Sequence, residues 1–360
     1  IVRGGVPLPS IRNYFMLPNG VGYVGLIGGF QETTSAELDE AVAALQKQGM
    51  KSLILDLRNN PGGLLPQAVE VVSRFIPADR TVVSVKGRSR YANTEELRTT
   101  GGKTYDLPLV VMINGGSASA SEIVAGAIQD YHRGVILGTE SFGKGLVQRV
   151  FPLPYSTGLT LTTARYYTPF GRSLQRDYSN GSIYEYYSHT DPTGSDAKPK
   201  PAGQAVTTPD GRVLYGGRGI EPDILVKPAE NGTLRFRINE AAFYFVRQLV
   251  AGKIAGFENY KIDKQDFRLS FPQGSLNVDD KLMAAFRQYA VALKDSGLTA
   301  ANINTLLDHA RTRVREELAT ATHSSEAGSQ VLLEVDPQIL KAIEVMPEAK
   351  RLSGLPIAKN

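Results

Sequence analysis

The feature that most constrains this chain is a short apolar run that leads directly into a pair of glycines. Residues 107–113 (LPLVVMI) have the length and composition of a buried strand, and Gly115 and Gly116 end it. Apolar residues at the spacing of one helix face follow: Ile123, Val124, Ala127 and Ile128. A second apolar strand is predicted at 134–138. Because strand–helix–strand units place helices on a sheet, this segment predicts an α/β layer.

The same alternation organises the sequence on both sides of this unit. Strands are predicted at 20–31, 52–57, 81–86 and 224–226, and helices at 34–49, opened by a capping box of Thr34 and Glu37, and at 65–75. After Gln148 the pattern changes to β-hairpins, with a turn at 155–158. Residues 177–219 are rich in Ser, Gly, Pro, Tyr and charge, which indicates a long surface loop that contains a turn at 209–211.

Beyond residue 230 the spacing of apolar residues predicts helices almost throughout. They are expected at 238–250, 279–294, 299–318 and 337–345, with a break at 319–329, where Thr, Ser and Ala accumulate. We therefore expect two domains, an α/β core at 1–229, which includes the surface loop, and a helical C-terminal subdomain at 230–360. The helical subdomain is a candidate surface for pairing with a second copy of the chain.

Composition excludes several classes of function. The net charge of +4 is modest, and no basic run with interleaved aromatic residues occurs, so nucleic acid is not an expected partner. Cysteine is absent, which removes disulfides and thiol catalysis. No apolar stretch is long enough to span a membrane. The sequence begins Ile1-Val-Arg without a signal peptide, which we interpret as a mature or trimmed fragment.

Three serines, Ser117, Ser119 and Ser121, lie where the strand at 107–113 gives way to a helix. At such a corner their hydroxyls can face open space above the sheet. A helix cap is the more ordinary interpretation, because Ser119 and Glu122 have the spacing of a capping box. The strand at 134–138 then returns towards this corner and delivers Lys144 between two glycines. The residues alone therefore leave both a structural cap and a nucleophile open.

Residues 138–145 also fit most of a phosphate-binding loop. Gly138 to Lys144 match the first seven positions of G-x-x-x-x-G-K-[ST], but Gly145 replaces the hydroxyl residue that would hold magnesium. The following residues, LVQRVFPL, have strand character, whereas a phosphate-binding loop opens a helix. Nucleotide binding at 138–145 is therefore kept as an alternative.

Four parts of the sequence together resemble one family of proteases. They are 54–63 (ILDLRNNPGG), 117–123 (SASASEI) with 138–148 (GTESFGKGLVQ), 162–175 (TTARYYTPFGRSLQ) and 216–224 (GGRGIEPDI). In this order they resemble the carboxyl-terminal processing peptidases, or tail-specific proteases, of family S41. The resemblance implies a layered α/β protease core of the ClpP/crotonase-like type, with β-hairpins and a helical C-terminal subdomain.

The resemblance also implies roles for individual residues. The middle serine of SASAS, Ser119, would be the nucleophile, and the lysine of FGKG, Lys144, would be the general base. Gln148 would orient that lysine. Main-chain N–H groups would form the oxyanion hole, and the residues that supply them would be Ala120 and either Gly62 or Gly63. No metal and no cofactor are implied.

A serine–lysine pair is chemically reasonable. A serine hydroxyl becomes a good nucleophile when a neighbouring base accepts its proton, and serine–lysine pairs are a known alternative to the histidine triad. A lysine can accept that proton only in its neutral form, which burial favours. In a fully extended strand Lys144 and Gln148 would share a face about 13 Å apart, so we expect a bend at Gly145. Asp130, at the end of the helix, is interpreted as structural or substrate-lining.

For the whole protein, the resemblance implies a serine endopeptidase that cleaves proteins near their carboxyl termini. It would act outside the cytoplasm, in the periplasm or at the periplasmic face of the membrane. In such proteases a PDZ domain that grips the substrate's carboxyl terminus precedes this point, so we expect a core that lacks this domain. Expected partners are protein substrates, an adaptor or regulator, and a second copy of the chain. A non-catalytic protein-binding scaffold on the same fold is the alternative.

Overall fold

The computed structural model describes residues 8–88, 94–176, 203–230, 232–272 and 274–353. The chain divides into two compact units, one formed by residues 1–227 together with 342–360, and the other by residues 228–341. The first division falls close to the predicted boundary after residue 229. The prediction differs at the C-terminus, because the residues from 342 onwards group with the α/β unit.

A six-stranded sheet forms the centre of the first unit. Its strands are β1 (Ile11–Leu17), β2 (Val21–Leu26), β3 (Ser52–Asp56), β6 (Leu109–Ile113), β7 (Val135–Gly138) and β12 (Ile224–Leu225), and they lie side by side in this order. Within this sheet β2, β3, β6, β7 and β12 run parallel to one another, and β1 pairs antiparallel with β2 at one edge. Strands β3, β6 and β7 are buried along their whole length, as is typical of parallel strands. Strand β1 has no counterpart among the predicted elements.

Three helices share the hydrophobic core of this sheet. They are α1 (Thr34–Lys47), α2 (Leu65–Ser73) and α3 (Ala120–Asp130). The apolar stripe of α1 is buried, as the helical spacing predicts. Every residue of α3 is buried, so this helix is enclosed on all sides. Both ends of α3 are therefore fixed by the residues packed around them.

The predicted capping box of Thr34 and Glu37 is not formed, because the helix begins at Thr34 and its N-cap residue, Thr33, makes no side-chain capping bond. The buried Thr34 hydroxyl donates to the carbonyl of Gln31 at 3.0 Å and accepts the Gln31 N–H at 2.8 Å. Glu37 instead accepts the hydroxyl of Thr33 at 2.6 Å and the N–H of Ile11 at 2.9 Å. The glutamate in the first turn thus ties α1 to strand β1.

A four-stranded antiparallel sheet lies in the same unit, in the order β5-β4-β9-β8. Its strands are β4 (Thr81–Lys86), β5 (Glu95–Arg98), β8 (Leu146–Leu153) and β9 (Thr157–Tyr167). The turn between β8 and β9 contains Tyr155 and Ser156, both at positive φ, within the predicted turn. Strand β8 spans LVQRVFPL, the residues after Gly145 that were predicted to have strand character.

A small hairpin of β10 (Ala205–Thr207) and β11 (Val213–Tyr215) completes the strands. Its connection contains the predicted turn at 209–211, with Gly211 at φ +85°. Most of the predicted surface loop, residues 177–202, lies outside the described residues.

The second unit is helical. Its elements are α4 (Thr233–Val250), α5 (Asp280–Ala292), α6 (Ala300–Asn304), α7 (Leu307–Thr322), α8 (Ser325–Leu333) and the start of α9 (Pro337–Glu344). A break does occur within the predicted range 319–329, but it is short: α7 ends at Thr322, and Ser324 caps α8 by accepting the Ala327 N–H at 3.1 Å. The predicted helix at 299–318 is instead divided between Asn304 and Leu307.

Helix α10 (Met346–Ser353) belongs to the first unit. It lies against strand β6 and buries Met346, Ala349 and Leu352. In the part of the chain that the structure describes, no helix combines the length and apolar composition that crossing a bilayer requires.

Candidate active site

Ser119 occupies the corner between strand β6 and helix α3. The strand ends at Ile113, the helix begins at Ala120, and residues 114–119 make the turn. Ser119 has φ 55° and ψ −113°, a conformation that a residue with a Cβ adopts only at an energetic cost. A serine held in a strained strand-to-helix turn is the arrangement that presents a nucleophile above an α/β sheet. The residue is partly exposed, whereas Ser117 and Ser121 are buried.

The two neighbouring serines have a different role. Ser117 Oγ donates to the carbonyl of Leu57 at 2.8 Å, and Ser121 Oγ donates to the carbonyl of Asn60 at 3.0 Å. Both serines are fully buried. The expectation that all three hydroxyls face open space is therefore wrong for Ser117 and Ser121, which bind the corner to the loop after β3.

The glycine turn after strand β3 lies directly against Ser119. The N–H of Ala118 donates to the carbonyl of Asn60 at 3.0 Å, which holds the turn in place. Gly62 has φ +96°, and a Cβ added there would lie 2.7 Å from the Cβ of Ser119 and 2.9 Å from the nitrogen of Ala120. Both the positive φ and the close approach require glycine at this position.

The two glycines of the turn differ in their N–H groups. The N–H of Gly62 donates to Oδ1 of Asn60 at 2.9 Å. On either side of Gly63, the carbonyl of Gly62 and the N–H of Leu64 pair with Phe30, both at 2.9 Å. Among the hydrogen bonds of the described residues, the N–H of Gly63 has no acceptor. Gly63 is thus the glycine whose N–H remains available to a ligand.

A buried carboxylate joins the loop of Lys144 to the corner of Ser119. Glu122 Oε2 accepts the N–H groups of Ser119 and Lys144, at 2.9 and 2.8 Å. Oε1 accepts the hydroxyl of Ser141 at 2.6 Å and the N–H of Gly143 at 2.7 Å. Burial raises the pKa of Glu122, and these hydrogen bonds oppose the shift. The Ser119 bond fits the predicted capping box, whereas the link to Lys144 has no counterpart in the sequence prediction.

The side chains of Lys144 and Gln148 are both exposed. Within the described residues no hydrogen bond joins the side chains of Ser119, Lys144 and Gln148. The register between β8 and β9 shifts at Val147 and Gln148, and the additional residue, Thr163, lies in β9. Lys144 precedes β8, which begins at Leu146, so strand alternation does not determine how its side chain lies relative to Gln148. The shelter expected for the lysine is also absent in this structure.

Asp130 closes the other end of helix α3 in a buried ion pair. Its carboxylate contacts Arg172, with side-chain exposures of 0% and 2%, and also accepts the Phe170 N–H at 2.9 Å. Arg172 donates further to Oε1 of Gln129 at 3.0 Å. Of the two roles expected for Asp130, the structure shows the structural one. Arg172 lies in the third motif, 162–175, and the pair explains why an arginine stands there.

Residues 138–145 do not form a phosphate-binding loop. The N–H groups of Gly143 and Lys144 that would face a phosphate donate to Glu122 instead. The chain continues as strand β8, whereas such a loop needs the N-terminus of a helix. The described residues contain no group of His, Asp and Glu suited to a metal ion.

Comparison with known proteins places this site in a family context. Residues 20–181 match the family described as Peptidase family S41. The chain is 44% identical over 179 residues to a carboxy-terminal-processing protease of Bartonella bacilliformis, and this alignment covers 49% of this chain and 40% of the relative. It is 40% identical over 178 residues to a carboxyl-terminal-processing protease of Picosynechococcus sp., and this alignment covers 49% of this chain and 42% of the relative.

The matched region is therefore less than half the length of either relative. Among solved structures, a photosystem II D1 C-terminal processing protease matches with 30% identity and a TM-score of 0.43, over 59% of this chain and 45% of that one. Residues 20–181 are therefore similar to peptidase family S41, and the two relatives that are 40% identical or more are carboxyl-terminal processing proteases.

Proposed function

We propose that this chain is a serine endopeptidase in which Ser119 and Lys144 cleave protein substrates near their carboxyl termini. The observation that carries the proposal is the state of the three serines at the corner. Ser117 and Ser121 are buried and donate to main-chain carbonyls, while Ser119 is partly exposed and has a strained backbone at φ 55°. The similarity to two carboxyl-terminal processing proteases supports the substrate class.

In the proposed reaction, Ser119 Oγ attacks the scissile carbonyl carbon while Lys144 Nζ accepts the hydroxyl proton. The same amine returns the proton to the leaving amine nitrogen, and water then hydrolyses the acyl-enzyme. A polypeptide over the site would take the exposed Lys144 out of water, and removal from water favours the neutral form of an amine. Gln148 would orient Lys144 once their side chains have moved into contact.

We assign the oxyanion hole to the main-chain N–H groups of Ala120 and Gly63. Ala120 is the first residue of α3, where the N–H has no partner within a helix. Gly63 is chosen over Gly62 because the Gly62 N–H already donates to Asn60. Donors fixed in this way stabilise the developing negative charge without reorganisation, and each contributes about 100-fold to the rate or more.

We further propose an extracytoplasmic location, in the periplasm or at the periplasmic face of the membrane. The support is the similarity to bacterial carboxyl-terminal processing proteases. Pairing of two copies through the helical unit is supported by α4, which exposes 68% of Phe236 and 43% of Phe243 seven residues apart on one face. An adaptor or regulator remains a proposal on the family resemblance.

Replacement of Lys144 by alanine tests the proposed function. We expect kcat/KM on a denatured, fluorescently labelled protein to fall at least about 100-fold, because general acid–base catalysis contributes that much. The matched control is Lys47→Ala, an exposed lysine at the end of α1, which should cleave at the wild-type rate. Unchanged cleavage by Lys144→Ala would contradict the proposal. A wild-type chain that binds the denatured protein without cleaving it would favour the scaffold.

A further inference from the structure

Three segments, which belong to two of the four sequence motifs, meet at one buried acidic side chain. Glu122 belongs to 117–123, and its donors Ser141, Gly143 and Lys144 belong to 138–148. The Ser141 hydroxyl also accepts the N–H of Ile220, at 2.7 Å, which brings in 216–224. Gly219 has φ +87°, and a Cβ there would lie 2.8 Å from Glu122 Oε1. The three segments are therefore packed around a single carboxylate.

The carboxylate of Glu122 uses its full hydrogen-bonding capacity. Each oxygen accepts two donors, so all four acceptor positions of an ionised carboxylate are filled. A buried charge is tolerated when it is hydrogen-bonded in this way, and bonds to a charged acceptor are stronger than neutral ones. The charge of Glu122 therefore strengthens the hydrogen bonds that link helix α3 to the 141–144 loop.

One oxygen connects the two residues proposed to react. Glu122 Oε2 accepts the main-chain N–H of Ser119 at 2.9 Å and that of Lys144 at 2.8 Å. The two main-chain nitrogens are therefore no further apart than the sum of these distances, 5.7 Å. The flanking residues have anchors of their own: Phe142 N–H donates to Ser117 at 2.9 Å, and Gly145 N–H donates to Gln175 at 2.9 Å. Loss of the carboxylate should thus shift the loop locally without unfolding it.

We propose that Glu122 is a positioning residue for Ser119 and Lys144. Its carboxylate fixes the separation of the nucleophile and the lysine loop and so sets the rate of the chemical step, without contacting substrate. This inference rests on the proposed function of the same site. Because a displacement of about 1 Å can cost roughly 100-fold in rate, the effect should appear in kcat and leave KM nearly unchanged.

The test compares Glu122→Gln with Glu122→Asp. The amide of Gln has one acceptor oxygen, and its NH2 group would face two N–H or O–H donors, so two hydrogen bonds are lost. We expect kcat to fall about 100-fold in Glu122→Gln and about 10-fold in Glu122→Asp, which keeps the charge but is shorter. In both variants KM should stay within about 3-fold of wild type, since no substrate contact is removed.

The matched control is Glu37→Gln. Glu37 also lies in the first turn of a helix in the same unit and accepts a main-chain N–H from another element, but it binds Ile11 and not the serine corner. Its kcat should stay within about 3-fold of wild type, whatever its thermal midpoint. The positioning role would be contradicted if both variants lost kcat in the same proportion to their loss of thermal stability, because kcat would then simply follow the stability of the fold.

Ser119→Ala and Lys144→Ala, assayed in parallel, separate the two possible failures. If these variants still cleave, the proposed function itself is wrong. If they are inactive while Glu122→Gln keeps the wild-type kcat, the positioning role alone is wrong. Where Glu122→Gln does not fold, Glu122→Asp decides: a lower kcat at unchanged KM supports the role, and a wild-type kcat overturns it.

Discussion

Replacement of Ser119 by alanine is expected to reduce kcat for cleavage of a denatured protein by about 10⁴-fold or more, the scale seen when a nucleophilic serine is removed. No neighbouring serine can substitute for it, because Ser117 and Ser121 are buried and donate to main-chain carbonyls. The rate of release of labelled peptides from the substrate measures the effect.

The fold should survive this substitution, because the strained turn is held by main-chain bonds that alanine keeps. These are the Ser119 N–H to Glu122 and the Ala118 N–H to Asn60. The control is Ser35→Ala, a partly exposed serine in α1, which should match wild type in both cleavage and thermal midpoint. Cleavage by Ser119→Ala at more than one tenth of the wild-type rate would show that another group is the nucleophile.

Replacement of Asp130 by alanine is expected to lower the free energy of unfolding by about 3–5 kcal/mol, the usual cost of leaving a buried charge without its partner. The guanidinium of Arg172 is 2% exposed and would lose the carboxylate that neutralises it. The N–H of Phe170 would lose its acceptor as well. Urea unfolding followed by circular dichroism measures the change.

The control for Asp130 is Glu96→Ala, which removes an exposed pair with Arg98 whose side-chain exposures are 51% and 43%. Such a pair contributes at most about 1 kcal/mol. The double variant Asp130→Ala with Arg172→Ala should be less destabilised than the sum of the single variants, because neither charge is then left unpaired. Additive losses would mean that the two side chains stabilise the fold independently.

The α/β layering of the first unit follows from local patterns. Strand β6 and helix α3 can be predicted from the sequence, because a continuous apolar run and a helical apolar stripe are both local patterns. Strand β1 escapes the same reasoning: Asn13 stands at a buried position of an otherwise alternating strand. The grouping of α10 with the first unit is equally invisible, since an amphipathic helix does not specify the surface that covers it.

The site shows the same limit at the level of single residues. The spacing of Ser119 and Glu122 predicts a hydrogen bond within one helical turn, and that bond is present. The bonds from Gly143 and Lys144 to the same carboxylate join residues that are 21 and 22 positions away. Long-range partners have no local signature in the sequence.

The central claim is that Ser119 is a nucleophile activated by Lys144. It is tested most directly by treating the chain with a fluorophosphonate and locating the covalent adduct by peptide mass spectrometry. We predict a single adduct, on Ser119, that forms in the wild-type chain and fails to form in Lys144→Ala. An adduct on a different residue, or labelling of Ser119 at the same rate in Lys144→Ala, would contradict the claim.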